Sequence, residues 1–255
     1  MPESLCSIQN KDQGLAVLAI HWRESVSTLQ FLETLQKRIA TIADNADIKG
    51  FIVTGLQRLN CNFSETSEST LYDFSALSGF GQQVMFNLEK TGKPSIAVID
   101  GECSGLGLEI ALACDFMVAS GSASFGFPAI ANGLIPFCGG TQRLARLVGK
   151  SKAKEMIYSG EIINSGEAHR IKLINRLYSD QELLPKTMEL MTHICKRSPN
   201  AIRVGGEVVN AGFDIDLNTA CMLERNAFAL CFSSFDQHEG MQAFLDKRPP
   251  QFKGE

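Results

Sequence analysis

Apolar and polar positions along this chain switch between two periods. Residues 15–21 alternate weakly, as a strand does, and 50–54 (GFIVT) and 95–99 (SIAVI) are short apolar runs that suit buried strands. Between them the period becomes helical. Residues 28–43 carry Leu29, Leu32, Leu35, Ile39 and Ile42 at helical spacing, with Asp44 and Asn45 as a stop. Residues 75–90 place Phe80, Val84 and Leu88 on one stripe, and Pro94 ends that helix. Strand, helix and strand in turn predict α/β architecture with crossover helices. A glycine turn (Gly101, Gly105, Gly107) follows, and then 108–114, apolar on nearly every side, which predicts a buried helix. Residues 116–119 read as a strand, 124–126 as an extended piece, and 139–150 as a glycine turn entering a helix. Further helices are expected over 150–158 and 164–172, the second with a capping pattern of Asn164 and Glu167. From Gln181 the pattern is helical throughout: 183–196, 199–209, 218–231 and 238–245, the last opened by a capping box of Asp236 and Glu239.

One residue breaks the buried helix, Glu109. A charge in such a place costs several kcal/mol unless it is paired or hydrogen-bonded. Three readings stand side by side. A strand, a glycine turn and a helix N-terminus can hold the pyrophosphate of a dinucleotide, but the G-x-G-x-x-G spacing fails at its third glycine and no acidic residue ends a clear second strand. The same backbone N–H groups can form an oxyanion hole, beside which a Glu could move protons. The plain alternative is a carboxylate that favours the helix dipole.

Composition narrows the class. The 255 residues are 44% hydrophobic and 20% charged, which suits a folded soluble chain of one large domain or a core with a small appendage. A net charge of -4 gives no basic footprint for nucleic acid. Residues 1–13 are polar and do not read as a signal peptide, and no apolar run reaches the length of a membrane span. The eight cysteines (6, 61, 103, 114, 138, 195, 221 and 231) show no C-x-x-C pair and no His at ligand spacing. They read as reduced thiols of a cytoplasmic protein that holds no metal.

Three passages together resemble the crotonase superfamily, the enoyl-CoA hydratase/isomerase family. They are KPSIAVIDGECSGLGLEIALACDFMVAS, ASFGFPAIANGLIPFCGGTQRLARLVG and the C-terminal LERNAFALCFSSFDQHEGMQAFLDKR. The resemblance runs from about Leu15 to Phe252 and is most specific between Lys93 and Leu147. It implies a spiral of ββα turns over residues 1–195 and a helical oligomerisation segment over 196–255, assembling as a homotrimer or a dimer of trimers. The implied ligand is an acyl-CoA thioester, with no cofactor besides the coenzyme A of the substrate. The implied oxyanion hole is the backbone N–H of Leu106 and of Phe63, the latter in the polar loop 57–70. That loop lacks the family's A-F-S-A-G-A-D pattern, and a second departure replaces R-P-x-x-x-N-A-L near Trp22, Arg23 and Glu24.

The resemblance also sets the chemistry in question. A hydratase of the family resembles a machine with two carboxylates that share a water and deliver its proton to the α-carbon. Glu109 matches the first. Twenty positions on, where the second belongs, stands Ala129, whose methyl carries no proton. Asn132 could hold a water, and the four histidines (21, 169, 193, 238) are far away in sequence. The expected activity is that of an enoyl-CoA hydratase with one carboxylate, in weakened or altered form; a different acyl-CoA reaction or a non-catalytic binding or assembly role are the alternatives. Ala129, Phe244 and Lys247 match substrate-binding positions, the last two near the CoA adenine and phosphates, against the plainer readings of a core Phe and a surface Lys. Arg143 and Arg146 offer a phosphate site or simple ion pairs.

Overall fold

In the computed structural model, residues 5–59, 61 and 70–255 are described. In chain order the elements are β1 (Cys6–Asn10), β2 (Leu15–Ile20), α1 (Thr28–Asp44), β3 (Gly50–Thr54), α2 (Leu71–Glu89), β4 (Ser95–Ile99), β5 (Glu102–Ser104), α3 (Leu106–Leu112), β6 (Phe116–Ser120), β7 (Ser124–Gly126), α4 (Gly140–Val148), α5 (Lys150–Ser159), β8 (Ile163–Asn164), α6 (Ser165–Arg170), β9 (Arg176–Tyr178), α7 (Leu183–Cys195), α8 (Pro199–Phe213), α9 (Leu217–Cys231) and α10 (Phe235–Leu245). A 3-10 turn, Pro128–Asn132, joins β7 to the approach to α4.

The strands form two sheets. The larger runs β1-β2-β3-β4-β6-β9, parallel throughout except for the β1–β2 hairpin. The smaller runs β5-β7-β8. Two passes of the chain lay one strand in the large sheet and the next in the small one, β4 then β5 and β6 then β7, before a helical segment returns it. That is the spiral of ββα turns expected from the resemblance.

Strand alternation explains how both faces of the large sheet are covered. Ala16, Leu18, Phe51, Val53, Ala97 and Ile99 point into the main core with α1, α2 and α3. Their neighbours Leu15, Val17, Ile52, Ile96 and Val98 point to the other face, where Leu183, Met191 and Cys195 of α7 cover them. A parallel sheet buried on both faces reads as continuous apolar runs, which is the pattern of GFIVT and SIAVI.

Several boundaries differ from the sequence expectation, each for a local reason. α2 begins at Leu71 rather than residue 75, because Thr70 and Asp73 make a reciprocal capping box. The buried helix starts two residues early, at Leu106, since Gly105 at φ 55 turns the chain directly into it. The glycine turn before it contains a strand, β5, too short to show a period. The expected capping box of Asp236 and Glu239 does not form. Ser234 caps α10 by accepting the Gln237 N–H at 3.2 Å. Asp236 is buried instead as a tie for the C-terminus: it accepts N–H from Lys253 at 2.7 Å and Gly254 at 3.1 Å and the Ser198 hydroxyl at 2.6 Å. Glu239 pairs with Arg248 at 2.7 Å. Asn164 does cap α6, accepting the Glu167 N–H at 2.9 Å. α8 and α9 pack on each other yet bury no residue within the chain.

Candidate active site

Glu109 is 1% exposed and sits in the first turn of α3. Its burial is compensated from outside its own helix. The segment 138–140 passes its amides across the carboxylate, and Oε1 accepts the Cys138 N–H at 2.7 Å and the Gly140 N–H at 2.8 Å. Gly140 is also the first residue of α4, so the N-terminal end of that helix dipole favours the anion. Both bonds end on Oε1.

Two influences oppose each other at this group. Burial pushes its pKa up to about 7, and the N–H groups of Gly140, Cys138 and Phe137, with the Arg143 charge, limit the rise. A carboxyl that titrates near neutrality can both take and give a proton.

The pocket beside it has a volume of about 370 Å³. Ser104, Gly105, Leu106, Phe127, Ala129, Asn132 and Phe137 contribute to its wall, with Cys61 at one side. The structure thus brings together Glu109, Leu106, Ala129 and Asn132, four residues that sequence reasoning singles out. Leu106 opens α3, where no preceding helical carbonyl is available to its N–H. Phe63 lies outside the described residues. Phe244, 79% exposed near the end of α10, is not a core residue of this chain, and neither it nor Lys247 lines the pocket. No histidine lines it: His21 bonds Ser7, His193 bonds Arg197, and His238 bonds the Ser234 carbonyl. Of the two arginines, Arg143 pairs with Glu89 at 2.6 Å and Arg146 with Asp214 at 3.3 Å, so the ion-pair reading describes both. Among the described residues no His, Cys, Asp or Glu cluster could hold a metal ion, and no helix is long and apolar enough to cross a membrane.

Sequence reasoning misses the anchor of Glu109. Cys138, Gly139 and Gly140 read as a turn entering a helix, without the carboxylate that the turn receives. The available signal is the pair of glycines at a helix start, a place where exposed amides collect anions.

Gly140 makes a strong demand on this geometry. A Cβ there would stand 2.9 Å from Glu109 Cγ, 2.9 Å from its Oε1 and 2.9 Å from Phe127 Cζ. All three atoms belong to buried side chains, so relief requires the carboxylate to move off its amides. Gly140→Ala is expected to cost about 1–3 kcal/mol in denaturant unfolding. It is expected to lower turnover by about 10²-fold, the effect of a displaced catalytic group.

A spiral of two sheets, with a buried carboxylate under a pocket at the start of α3, defines the crotonase fold class. The chain belongs to the enoyl-CoA hydratase/isomerase family, whose model matches residues 10–255. It is 37% identical over 254 residues to a crotonyl-CoA hydratase of Syntrophomonas wolfei, covering 96% of each chain. It is 34% identical over 247 residues to a short-chain-enoyl-CoA hydratase of Clostridium acetobutylicum, covering 94% of this chain and 95% of that one. A crystal structure of enoyl-CoA hydratase from Bacillus anthracis superposes with a TM-score of 0.90 at 31% identity, covering 98% of this chain and 100% of the other. The protein is accordingly an enzyme of the crotonase class.

Proposed function

We propose that this enzyme adds water to a 2-enoyl-CoA thioester, with Glu109 as its one proton-carrying carboxylate. The observation that carries this reading is a carboxyl group 1% exposed, raised to about 7, on the wall of a pocket that also holds the first residue of α3. The Leu106 N–H polarises the thioester carbonyl, joined by Phe63 as the resemblance implies. Such donors stabilise the enolate that forms when a nucleophile adds to C3. Glu109 takes a proton from water as the water oxygen bonds to C3. The C2–C3 double bond becomes the enolate, and the protonated Glu109 then delivers its proton to C2 on the same face. Atoms balance with a single carboxyl because the proton it removes is the proton it returns. Named relatives that are hydratases support the substrate class.

Ala129 favours a second reading within the same class. With one carboxylate among the described residues of the pocket wall, the site would also suit an acyl-CoA reaction that needs an enolate or anion hole and one base, such as decarboxylation or thioester hydrolysis, while Ala129 counts against ordinary isomerisation. Loss of the thioester-conjugated absorbance of crotonyl-CoA on addition of purified enzyme tests hydration. No loss, with CoA affinity intact, assigns the second reading or a binding role.

We take the helices beyond residue 196 as the oligomerisation segment, giving a homotrimer or dimer of trimers. The bare apolar residues Val209, Phe213, Phe228 and Leu230 support that, each more than half exposed in the single chain. Phe244 and Lys247 belong to the CoA-binding part of this proposal.

A further inference from the structure

Behind the segment that anchors Glu109 lies a second layer with no assigned role. Arg143, on α4, has a side chain only 12% exposed. Its Nε and Nη2 reach the two oxygens of Glu89, at the end of α2, at 2.6 and 2.9 Å. Its third nitrogen, Nη1, donates to the Cys138 carbonyl at 3.0 Å. The guanidinium also lies 5.1 Å from the centre of the Phe86 ring. The Cys138 residue thus bonds Arg143 through its C=O and Glu109 through its N–H. Gly139 leaves the space: its φ is 99, and a Cβ on it would collide with Arg143 Nη1.

We propose that Arg143, clamped by Glu89, is a positioning residue that holds the 138–140 segment against Glu109 and tunes the charge state of that carboxylate. This rests on Glu109 being the acid/base of the proposed function. A forked guanidinium fixed at both oxygens of one carboxylate has a defined orientation, which a lysine at the same place would not share. The carbonyl it holds belongs to the 138–139 peptide, which links the two peptides whose N–H groups face Oε1 and so sets their placement relative to each other. Its positive charge favours ionised Glu109.

Other charged and titratable groups face this assembly, and Lys93, before β4, with Arg203 and Glu207 of α8, lines one cleft with Glu89. The Cys61 and Cys138 thiols stand beside Glu109; burial pushes Cys61 up to about 12 and Cys138 still higher, so both stay neutral. Cys114 and Asp115, after α3, face Glu89, and burial raises both. Lys90 lies over the Phe86 ring at 5.8 Å, and Arg146 on α4 is engaged with Asp214. Arg143 is the cation whose charge bears on Glu109.

The test is direct titration of Glu109 by carboxyl 13C NMR in labelled enzyme, with its resonance assigned by loss in Glu109→Gln. The parent should titrate near pH 7. Arg143→Met should raise the midpoint by about half a pH unit or more, Glu89→Gln, which loosens the clamp, should raise it by less, and Arg143→Lys should restore most of the parent value while leaving kcat reduced. The kcat/KM profile of each variant should move with its NMR midpoint. Circular dichroism establishes folding first, and Glu89→Gln keeps a hydrogen-bonding side chain if Arg143→Met does not fold. An unmoved midpoint in Arg143→Met, or a midpoint in Glu89→Gln that stays put or falls, overturns the proposal. Midpoints that move as stated while the rate profiles do not would keep the positioning role and instead sink Glu109 as the acid/base.

Discussion

Glu109→Gln is expected to abolish turnover, by about 10⁴-fold, while the fold and ligand affinity persist. The glutamine oxygen can still accept the Cys138 and Gly140 amides that Oε1 accepts at 2.7 and 2.8 Å. What disappears is the proton carrier, and among the described residues no histidine or second carboxylate lines the pocket to replace it. The same variant has a signature in stability. The folded carboxyl titrates near 7 against an ordinary value of 4.5, so the folded state keeps a proton that the unfolded chain has lost between those two pH values. Parent stability on this account falls as pH rises through about 4.5 to 7 and carries the full cost above it. The neutral amide of the variant carries no such cost. Glu109→Gln should therefore match the parent near pH 4 and exceed it at pH 8, by roughly 3 kcal/mol at most. Denaturant melts at the two pH values read this difference. In the parent, one titrating carboxyl should make kcat/KM rise through about pH 7 to a plateau. Turnover that survives in Glu109→Gln would remove the group from the mechanism.

The sequence shows the parts of this molecule that depend on repeating side chains and hides the parts that depend on backbone. GFIVT and SIAVI mark buried parallel strands because both faces of the sheet are covered, and α1 is legible because Leu32, Leu35, Ile39 and Ile42 all reach the core. β5 and β8 are not, since strands of three and two residues have no measurable period. Glu109 stands out as a charge in an apolar helix, and its distance in sequence from Ala129 follows from the motif. Its partners do not stand out, because they are N–H groups some thirty residues further on, at Cys138 and Gly140, and a backbone donor leaves no trace in residue type. The α10 cap shows the opposite error. Asp236 and Glu239 have the spacing of a capping box, but a serine two residues earlier takes the cap, and the buried aspartate goes to the C-terminal tail. Local spacing could not reveal that, since the tail atoms compete from seventeen residues away.

Ala129→Glu is expected to raise hydration of crotonyl-CoA by about 10²–10⁴-fold, the usual contribution of a positioned general acid. The backbone at this position is already held for such a side chain. Ala129 lies in the 3-10 turn Pro128–Asn132, and its carbonyl accepts the Leu134 N–H at 3.1 Å as Gly133, at φ 72, closes the turn. The methyl is half-buried on the wall of the same pocket as Glu109, so a longer side chain has the pocket to enter rather than the core. A second carboxyl changes the pH dependence as well as the rate. Two carboxyls in one apolar pocket disfavour each other's ionisation, so one must titrate above the other. The single rise of the parent should become a bell, with one limb for the group that must be ionised and one for the group that must keep its proton. Ala129→Gln supplies the control, having similar bulk and no proton to give. Gain with Glu and none with Gln identifies the missing function as proton transfer and the parent as a hydratase with one carrier. If neither variant gains while both still bind CoA, the pocket is shaped for a different step on the thioester, and the open space at Ala129 serves the acyl group of that substrate.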